Sequence, residues 1–367
     1  MSNLENARQA MAHFPVNGEL AEIRPYGNGH INDTYLVEMQ EGAERWNLIL
    51  QRINSDIFKK PDELMENILS VTSHLRRKIE AEGGNPDRET LNVVCAEDGK
   101  PYYRDENNNY YRIYKFIDKA ISYDAVEKPE DFYESAVAFG HFQSMLADFP
   151  AAQLHETIPG FHDTKARFER FCEVVKEDKM GRAAEMEKEI QFVLDRSALA
   201  AELGEKQNSG ELPLRVTHND TKLNNIMLDE ATGKAICVID LDTVMPGMAV
   251  NDFGDSIRFG ASTAAEDEMD LSRVECSMEL FETYAKGYIE GCAGRLTEAE
   301  LKALPLGAKT MTFECGMRFL TDYLEGDVYF KVHREGHNRD RCRTQFKLVA
   351  DMEAKWDEMN RIVAKYM

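Results

Sequence analysis

The sequence predicts an α+β protein with a small, antiparallel β-rich N-terminal lobe and a large, mainly helical C-terminal lobe. Three observations carry this prediction. The first third alternates β-branched, apolar runs with polar turns, whereas beyond Ile117 the apolar residues recur at helical spacing. A single β-like stretch, 214–242, interrupts the helical part. Since 367 residues suffice for two lobes, we expect an N-terminal lobe over 1–117 and a C-terminal lobe over 118–367.

The N-terminal lobe is predicted to contain a β-hairpin and one long helix. Residues 31–37 and 46–52 are rich in apolar and β-branched side chains and flank the polar turn 40–44. A helix is expected over about 62–81, ended by Gly83. Its apolar stripe consists of Leu64, Ile68, Val71 and Leu75. Further strands are expected at 91–95, 102–103 and 110–117.

Helix start signals recur through the C-terminal lobe. Pro129 suits the first turn of a helix, and Asp163 or Thr164 can cap a second. A third is predicted over about 182–203. The residues 297–300 read Thr-Glu-Ala-Glu, which is a capping box.

The composition excludes several classes of function. The chain has 44 Lys+Arg against 66 Asp+Glu, a net charge of −22, which argues against nucleic acid or an anionic membrane as a partner. No apolar run approaches the roughly 18 residues of a membrane helix, and residues 1–22 do not resemble a secretory signal. Seven widely spaced cysteines without a C-x-x-C pair indicate reduced thiols. We therefore expect a cytoplasmic protein, acting as a monomer on small molecules.

The central segment carries the clearest chemical pattern. Residues 216–228 and 235–242 predict two short strands around a polar loop. Asp220 and Asn225 lie five residues apart in that loop, and Asp240 ends the return strand. A carboxylate that accepts a hydroxyl proton, with an Asn and an Asp that bind magnesium, is what phosphoryl transfer requires.

This H-x-D-x-x-x-x-N pattern, followed by I-D-x-D and by Asp252-Phe253-Gly254-Asp255, resembles the catalytic signature of the aminoglycoside phosphotransferases and choline kinases. These enzymes are a branch of the protein-kinase-like fold. The resemblance implies a bilobal kinase-like architecture that uses ATP and Mg²⁺.

A glycine-containing turn lies upstream of this signature. Gly27 and Gly29 let the backbone approach a ligand closely and offer N–H groups to phosphate oxygens. His30 either helps to bind phosphate or faces solvent in the turn. In the kinase-like order, this turn is expected to contact the nucleotide.

Four segments resemble the N-acetylhexosamine 1-kinase family, and the similarity runs over nearly the whole chain: 26–32, 216–225, 252–260 and 314–327. That family transfers phosphate from ATP to the anomeric hydroxyl of N-acetylglucosamine or N-acetylgalactosamine. The resemblance implies that Asp220 is the base, in contact with the substrate, and that Asn225 and Asp240 bind the metal. It also implies that Arg318 and Tyr329 hold the sugar. The alternatives are that Arg318 forms helix salt bridges at i±4 and that Tyr329 is a packed aromatic.

The resemblance implies nucleotide contacts as well. Tyr114 and Phe116 belong to the connection whose backbone would bind adenine. The strand that commonly supplies a phosphate-pairing lysine reads Leu50-Gln51-Arg52, so either Gln51, Arg52 or backbone N–H groups would bind phosphate. Asp242 is either a second metal ligand or a structural acceptor.

Two other functions are compatible with the sequence. A kinase of another small hydroxyl compound, such as an aminoglycoside or choline, would suit the acidic composition. A nucleotide-binding pseudokinase is suggested by the missing lysine, although Asp220, Asn225 and Asp240 argue against it. The sequence does not distinguish the gluco from the galacto epimer.

Overall fold

The computed structural model of the protein describes residues 3–27 and 31–367. Its strands, in chain order, are β1 (Glu19–Pro25), β2 (Asp33–Glu41), β3 (Glu44–Ile53), β4 (Val93–Val94), β5 (Tyr103–Arg104), β6 (Tyr110–Lys115), β7 (Ala120–Ile121), β8 (Arg215–Thr217), β9 (Ile226–Asp229), β10 (Ala235–Val238) and β11 (Met245–Gly247). Its α-helices are α1 (Asn3–Met11), α2 (Pro61–Ala81), α3 (Pro86–Glu89), α4 (Pro129–Met145), α5 (Thr164–Glu177), α6 (Glu187–Leu194), α7 (Ser197–Asn208), α8 (Ala249–Gly260), α9 (Met278–Gly291), α10 (Glu298–Glu325), α11 (His337–Ala354) and α12 (Trp356–Tyr366).

The chain forms two compact units that alternate along the sequence. The first contains the described residues of 1–121 together with 153–159 and 227–245. The second contains 122–152, 160–226 and 246–367. The functional division after residue 117 stays a prediction.

The first unit contains an antiparallel sheet in the order β1-β2-β3-β6-β4, with β5 also paired to β6. The predicted hairpin is confirmed, but its turn is shorter than expected. Glu41 pairs with Glu44, and Gly42 takes a left-handed φ of 61°, so two residues reverse the chain. A smaller sheet in the same unit has the order β10-β9-β7.

Helix α2 has the predicted apolar stripe. Leu64, Ile68 and Val71 are fully buried, and Leu75 nearly so. Pro61 occupies its first turn, as suits a residue without an N–H donor. The stripe indicates why this segment is a helix: its apolar spacing matches one helical face.

The second unit is mainly helical. Helices α8 and α10 approach closely because both have a glycine at the contact: a Cβ on Gly254 would clash with the carbonyl of Gly307. The predicted caps are confirmed, since Asp163 accepts a hydrogen bond from Ala166 N at 2.9 Å. The capping box of Thr297 and Glu300 is also present.

The prediction of one helix over 182–203 is wrong. The segment divides into a 3₁₀ turn, Ala183–Met186, and helices α6 and α7. Between α6 and α7, Arg196 leaves helical geometry, and its Nη1 donates to the carbonyl of Phe192 at 3.0 Å. This side chain therefore provides a donor for a carbonyl at the end of α6.

Within residues 3–27 and 31–367, no helix combines the length and apolarity needed to cross a membrane.

Candidate active site

The loop that follows β8 is held by a buried carboxylate from helix α8. Asp252 accepts hydrogen bonds from the backbone N–H groups of His218, at 2.9 Å, and Asn219, at 2.8 Å. Its third donor is the Gln143 side chain, at 2.9 Å. Burial raises the pKa of Asp252, and these hydrogen bonds oppose the rise. The backbone that leads into Asp220 is thereby fixed.

A second carboxylate of α8 fixes the far side of Asp220. Asp255 accepts from the backbone N–H of Thr221 at 3.1 Å and from Arg258 Nη2 at 2.9 Å. Burial alone would raise the pKa of Asp255, but the charges of Arg258 and Lys222 outweigh it and lower the pKa. One helix therefore clamps the loop before and after Asp220.

The structure brings Asp220 and Asn225 together in the second unit. Asn225 Nδ2 donates to the main-chain oxygen of Asp220 at 2.7 Å and to its Oδ2 at 3.1 Å. The other carboxylate oxygen of Asp220 pairs with Lys222 Nζ at 2.7 Å. Burial alone would lower the pKa of Lys222, but Asp220 and Asp255 outweigh it and raise the pKa, so the ammonium stays charged. The Asp220 side chain keeps 29% of its surface exposed, within reach of a substrate.

The predicted metal ligands are oxygen donors, as Mg²⁺ prefers. The amide nitrogen of Asn225 donates to Asp220, and among the described residues the amide oxygen, Oδ1, accepts no hydrogen bond. Asp240 belongs to the first unit, where it follows β10, is exposed, and takes a left-handed φ of 56°. In the described part of the chain, no three His, Cys, Asp or Glu side chains form a metal-holding group. The chemistry of these donors suits Mg²⁺, and the binding of the metal by Asn225 and Asp240 stays a prediction.

Asp242 lies within the first unit, where one of its carboxylate oxygens is ion-paired and the other accepts a hydrogen bond. Arg112 Nη1 lies 2.6 Å from Oδ1, and Asn32 Nδ2 donates to Oδ2 at 2.6 Å. Of the two roles left open by the sequence, these contacts favour the structural one.

The glycine-containing turn is only partly described. Gly27 has a left-handed φ of 74°, and a Cβ there would meet no described atom within 4 Å. This conformation suits glycine and leaves the backbone accessible. Gly29 and His30 lie outside the described residues, so their nucleotide contacts stay predictions.

The other predicted nucleotide residues also lie in the first unit. Gln51 bonds to Arg112 and donates to Thr34 Oγ1 at 3.0 Å. Tyr114 is buried in β6, and Phe116 follows that strand with its ring edge-on to Tyr26. The roles of Gln51, Tyr114 and Phe116 in nucleotide binding stay predictions.

Arg318 lies in the second unit among three aromatic rings. Its guanidinium lies 5.4–5.9 Å from the ring centres of Phe161, Tyr329 and Phe330. Within the described residues, it forms no salt bridge and no hydrogen bond. One partner in the helix salt-bridge alternative, Asp322, instead accepts backbone N–H groups of 328–330. These bonds fix the loop that carries Tyr329, which is 63% exposed and so not a packed aromatic. Contact of Arg318 and Tyr329 with the sugar stays a prediction.

Two residues beside Arg318 were not predicted from the sequence. Glu314 accepts from Thr164 Oγ1 at 2.6 Å, and its other oxygen lies 2.9 Å from His162 Nδ1. The Nε2 of His162 is buried and lacks a hydrogen-bond partner among the described atoms. A cavity of about 30 Å³ is lined by His162, Asp255, Arg258, Met311, Glu314, Cys315 and Arg318. That volume holds one water or one ligand hydroxyl. A lone histidine in a loop gives no sequence signal, whereas Glu314 was visible only as a neighbour of Arg318 at i−4.

Glu314 gives the protein a predicted pH dependence. Burial alone would raise the pKa of Glu314, but His162, Arg167 and Arg318 outweigh it and lower the pKa to about 2. The carboxylate therefore stabilises the fold fully above its ordinary pKa of about 4.5, and this contribution is lost as pH falls from 4.5 towards 2. In urea unfolding, the stability advantage of the native chain over Glu314→Gln should shrink by about 2 kcal/mol between pH 6 and pH 3. An advantage that is the same at both pH values would contradict this pKa.

The chain is similar to known proteins in sequence and in fold. The family model described as "APH: Phosphotransferase enzyme family" matches residues 22–294. A microcompartment-associated aminopropanol kinase has a TM-score of 0.60 at 17% identity, covering 98% of this chain and 99% of that one. An aminoglycoside phosphotransferase from Alicyclobacillus acidocaldarius has a TM-score of 0.63 at 11% identity, covering 98% and 96%. A choline kinase from Cryptosporidium parvum has a TM-score of 0.56 at 14% identity, and the match covers 100% of this chain and 99% of that one. At these identities the likeness concerns the fold, and the predicted α+β, kinase-like fold class is confirmed.

Proposed function

The chain belongs to the phosphotransferase enzyme family, since the family model matches residues 22–294. We propose that it is an ATP-dependent sugar kinase. Its acceptor would be N-acetylglucosamine or N-acetylgalactosamine, and its product the hexosamine 1-phosphate. The segment resemblance to the N-acetylhexosamine 1-kinases supports this acceptor.

One observation carries the choice among acceptor classes: within the described residues, Arg318 forms neither a salt bridge nor a hydrogen bond, although its charge helps to lower the pKa of Glu314. Its positive charge would repel the ammonium groups of choline or an aminoglycoside, whereas hydroxyl and carbonyl oxygens of a neutral sugar can accept its hydrogen bonds. Aromatic rings around it, such as Tyr329, suit the apolar faces of a sugar ring. The local charge therefore favours a neutral acceptor, although the net charge of −22 would suit a cation.

The proposed chemistry is a direct, in-line transfer. The anomeric oxygen forms a bond to the γ-phosphorus while the bond to the ADP oxygen breaks, and the hydroxyl proton passes to Asp220. Asp220 orients the hydroxyl through its partly exposed carboxylate, which is paired with Lys222. Asn225 and Asp240 would hold Mg²⁺, which neutralises charge on the phosphates. An anomeric hydroxyl is more acidic than an ordinary alcohol, so a carboxylate suffices as base.

The proposed setting is the cytoplasm, with the protein acting as a monomer. All seven cysteines are free thiols, and Cys237, Cys276, Cys292 and Cys342 are buried. This state supports a reducing compartment.

An acceptor panel tests the proposed substrate. ADP release is measured with N-acetylglucosamine, N-acetylgalactosamine, choline, ethanolamine, aminopropanol and spectinomycin. We expect kcat/KM for at least one N-acetylhexosamine to exceed that of every amine by about 100-fold or more, which corresponds to about 3 kcal/mol. A preference for an amine would contradict the sugar assignment, and the absence of turnover with all six would favour a pseudokinase.

Arg318→Met should weaken binding of the acceptor. Losing a charge-assisted hydrogen bond costs about 1.5–3 kcal/mol, so KM for the sugar should rise about 10-fold or more while KM for ATP stays unchanged. The matched control is Lys309→Met on the same helix, because Lys309 also lies over a ring, that of Trp356, at 4.3 Å. Equal sugar KM values in the two variants would remove Arg318 from the acceptor site.

A further inference from the structure

Arg112 is a fully buried arginine in the central part of the first unit's sheet. It lies on β6, opposite Gln51 on β3, and its side chain is 1% exposed. Its Nη1 pairs at 2.6 Å with Oδ1 of Asp242, whose side chain is 4% exposed. A buried ion pair often adds no net stability compared with apolar residues of similar volume. Its presence here therefore calls for a reason other than stability.

Gln51 fixes the direction of the Arg112 guanidinium. Its Oε1 accepts hydrogen bonds from Arg112 Nε at 3.0 Å and from Nη2 at 2.8 Å. Its Nε2 donates to Thr34 Oγ1 at 3.0 Å, so the amide itself is oriented by β2. Gln51 belongs to the segment without the lysine expected from the wider kinase pattern. In place of a lysine, this segment supplies Gln51, which orients Arg112 towards Asp242.

The opposite side of Asp242 is equally constrained. Asn32 Nδ2 donates to Oδ2 at 2.6 Å, and Asn32 Oδ1 accepts from the backbone N–H of Asn54 at 2.9 Å. Thr157 Oγ1 donates to the main-chain oxygen of Asp242 at 3.1 Å. Both the side chain and the backbone of Asp242 are therefore held within the first unit.

Helix α2 anchors the same turn two residues later. Asn67 Nδ2 donates to the carbonyl of Val244 at 3.0 Å. The turn 240–244 begins at Asp240, whose left-handed φ of 56° is unfavourable for a residue other than glycine. Such a conformation persists only where the surroundings fix it, and the contacts at Asp242 and Val244 provide that fixation.

We propose that Arg112 is a positioning residue that sets the turn 240–244, through Asp242, so that the Asp240 carboxylate is presented to the magnesium ion of the nucleotide. Because its side chain is 1% exposed, Arg112 would act on the site through Asp242 rather than through contact with phosphate. The inference rests on the proposed function, because it takes Asp240 as a ligand of that ion.

The test separates positioning from stability by removing the ion pair as a whole. Arg112→Met alone leaves a buried carboxylate without its cation, so its Tm should fall by about 6 °C or more. The double variant R112M/D242L replaces both charges by apolar groups, so its Tm should return to within about 3 °C of the native value. Binding of a fluorescent ADP analogue is then measured with and without Mg²⁺, with no acceptor present.

We expect the double variant to bind the Mg²⁺ complex about 10-fold more weakly than the native chain, with metal-free binding unchanged within about 2-fold. Arg112→Lys is the second variant: it keeps a cation at Asp242 but loses the bonds to Gln51, and Mg²⁺-dependent binding should weaken about 3-fold. The control is Arg88→Met, which removes a different arginine–aspartate pair of the same unit, to Asp229, and should leave the Mg²⁺ dependence unchanged.

The outcomes distinguish failure of the proposed kinase function from failure of the positioning role of Arg112. If the native chain binds the analogue with no Mg²⁺ dependence, both the proposed kinase function and this inference are overturned. If the native chain is Mg²⁺-dependent and a folded R112M/D242L behaves like it, only the positioning role of Arg112 is overturned. Should the double variant fail to fold, native-like Mg²⁺-dependent binding by Arg112→Lys overturns that role.

Discussion

Asp220→Asn should reduce kcat by about 10³-fold or more, while the affinity for the Mg²⁺–nucleotide complex changes by less than about 3-fold. Asparagine keeps the size of the side chain and its contact with Asn225, but it cannot accept the proton of the acceptor hydroxyl. The loss should therefore appear in the chemical step, measured by single-turnover kinetics with saturating sugar and ATP.

Asp270→Asn is a suitable control for this variant, because Asp270 is a surface aspartate of the same unit that caps the turn of Ser272. It should retain native turnover. More than about a tenth of native activity in Asp220→Asn would mean that Asp220 is not the base.

Asp252→Asn should lower both the stability of the protein and its turnover. The carboxylate accepts three hydrogen bonds in a buried site, including those from His218 N and Asn219 N. An amide has only one acceptor oxygen and would point an NH₂ group at another donor. A buried unsatisfied donor costs about 1–3 kcal/mol, so the free energy of unfolding should fall by about 3 kcal/mol in urea titrations.

Measuring kcat per folded molecule separates an effect on the catalytic loop from an effect on stability. Asp351→Asn is the matched control, since Asp351 also accepts a backbone N–H, that of Cys276, at 2.7 Å in the same unit. The control should lose stability but keep native kcat, whereas Asp252→Asn should lose kcat by about 10-fold as well. Native kcat in folded Asp252→Asn would mean that the carboxylate does not position the catalytic loop.

The parts of the fold that the sequence predicts are those encoded in local periodicity. The stripe from Leu64 to Leu75, the cap at Asp163 and the capping box at Thr297 each depend on residues within a few positions of one another. The break between α6 and α7 was missed because it depends on the Arg196 side chain, which also bonds to the distant Glu353.

The candidate site likewise contains residues that local spacing predicts and residues that it does not. Asp220 and Asn225 are recognisable because their spacing of five is itself the signal, and the structure brings them together. His162 and Glu314 are 152 residues apart, and Arg112 and Asp242 are 130 apart. Neither pair has a local pattern. Burial of charge reveals them, since a buried carboxylate requires a partner from elsewhere in the chain.

The position of the transferred phosphate distinguishes an anomeric sugar kinase from other small-molecule kinases. The protein is incubated with ATP, Mg²⁺ and N-acetylglucosamine or N-acetylgalactosamine, and the product is analysed by phosphorus and proton NMR. We predict a phosphate monoester whose phosphorus couples to the anomeric proton of the hexosamine. Coupling to the C6 methylene protons, or a phosphate found only on an amine acceptor, would contradict the account.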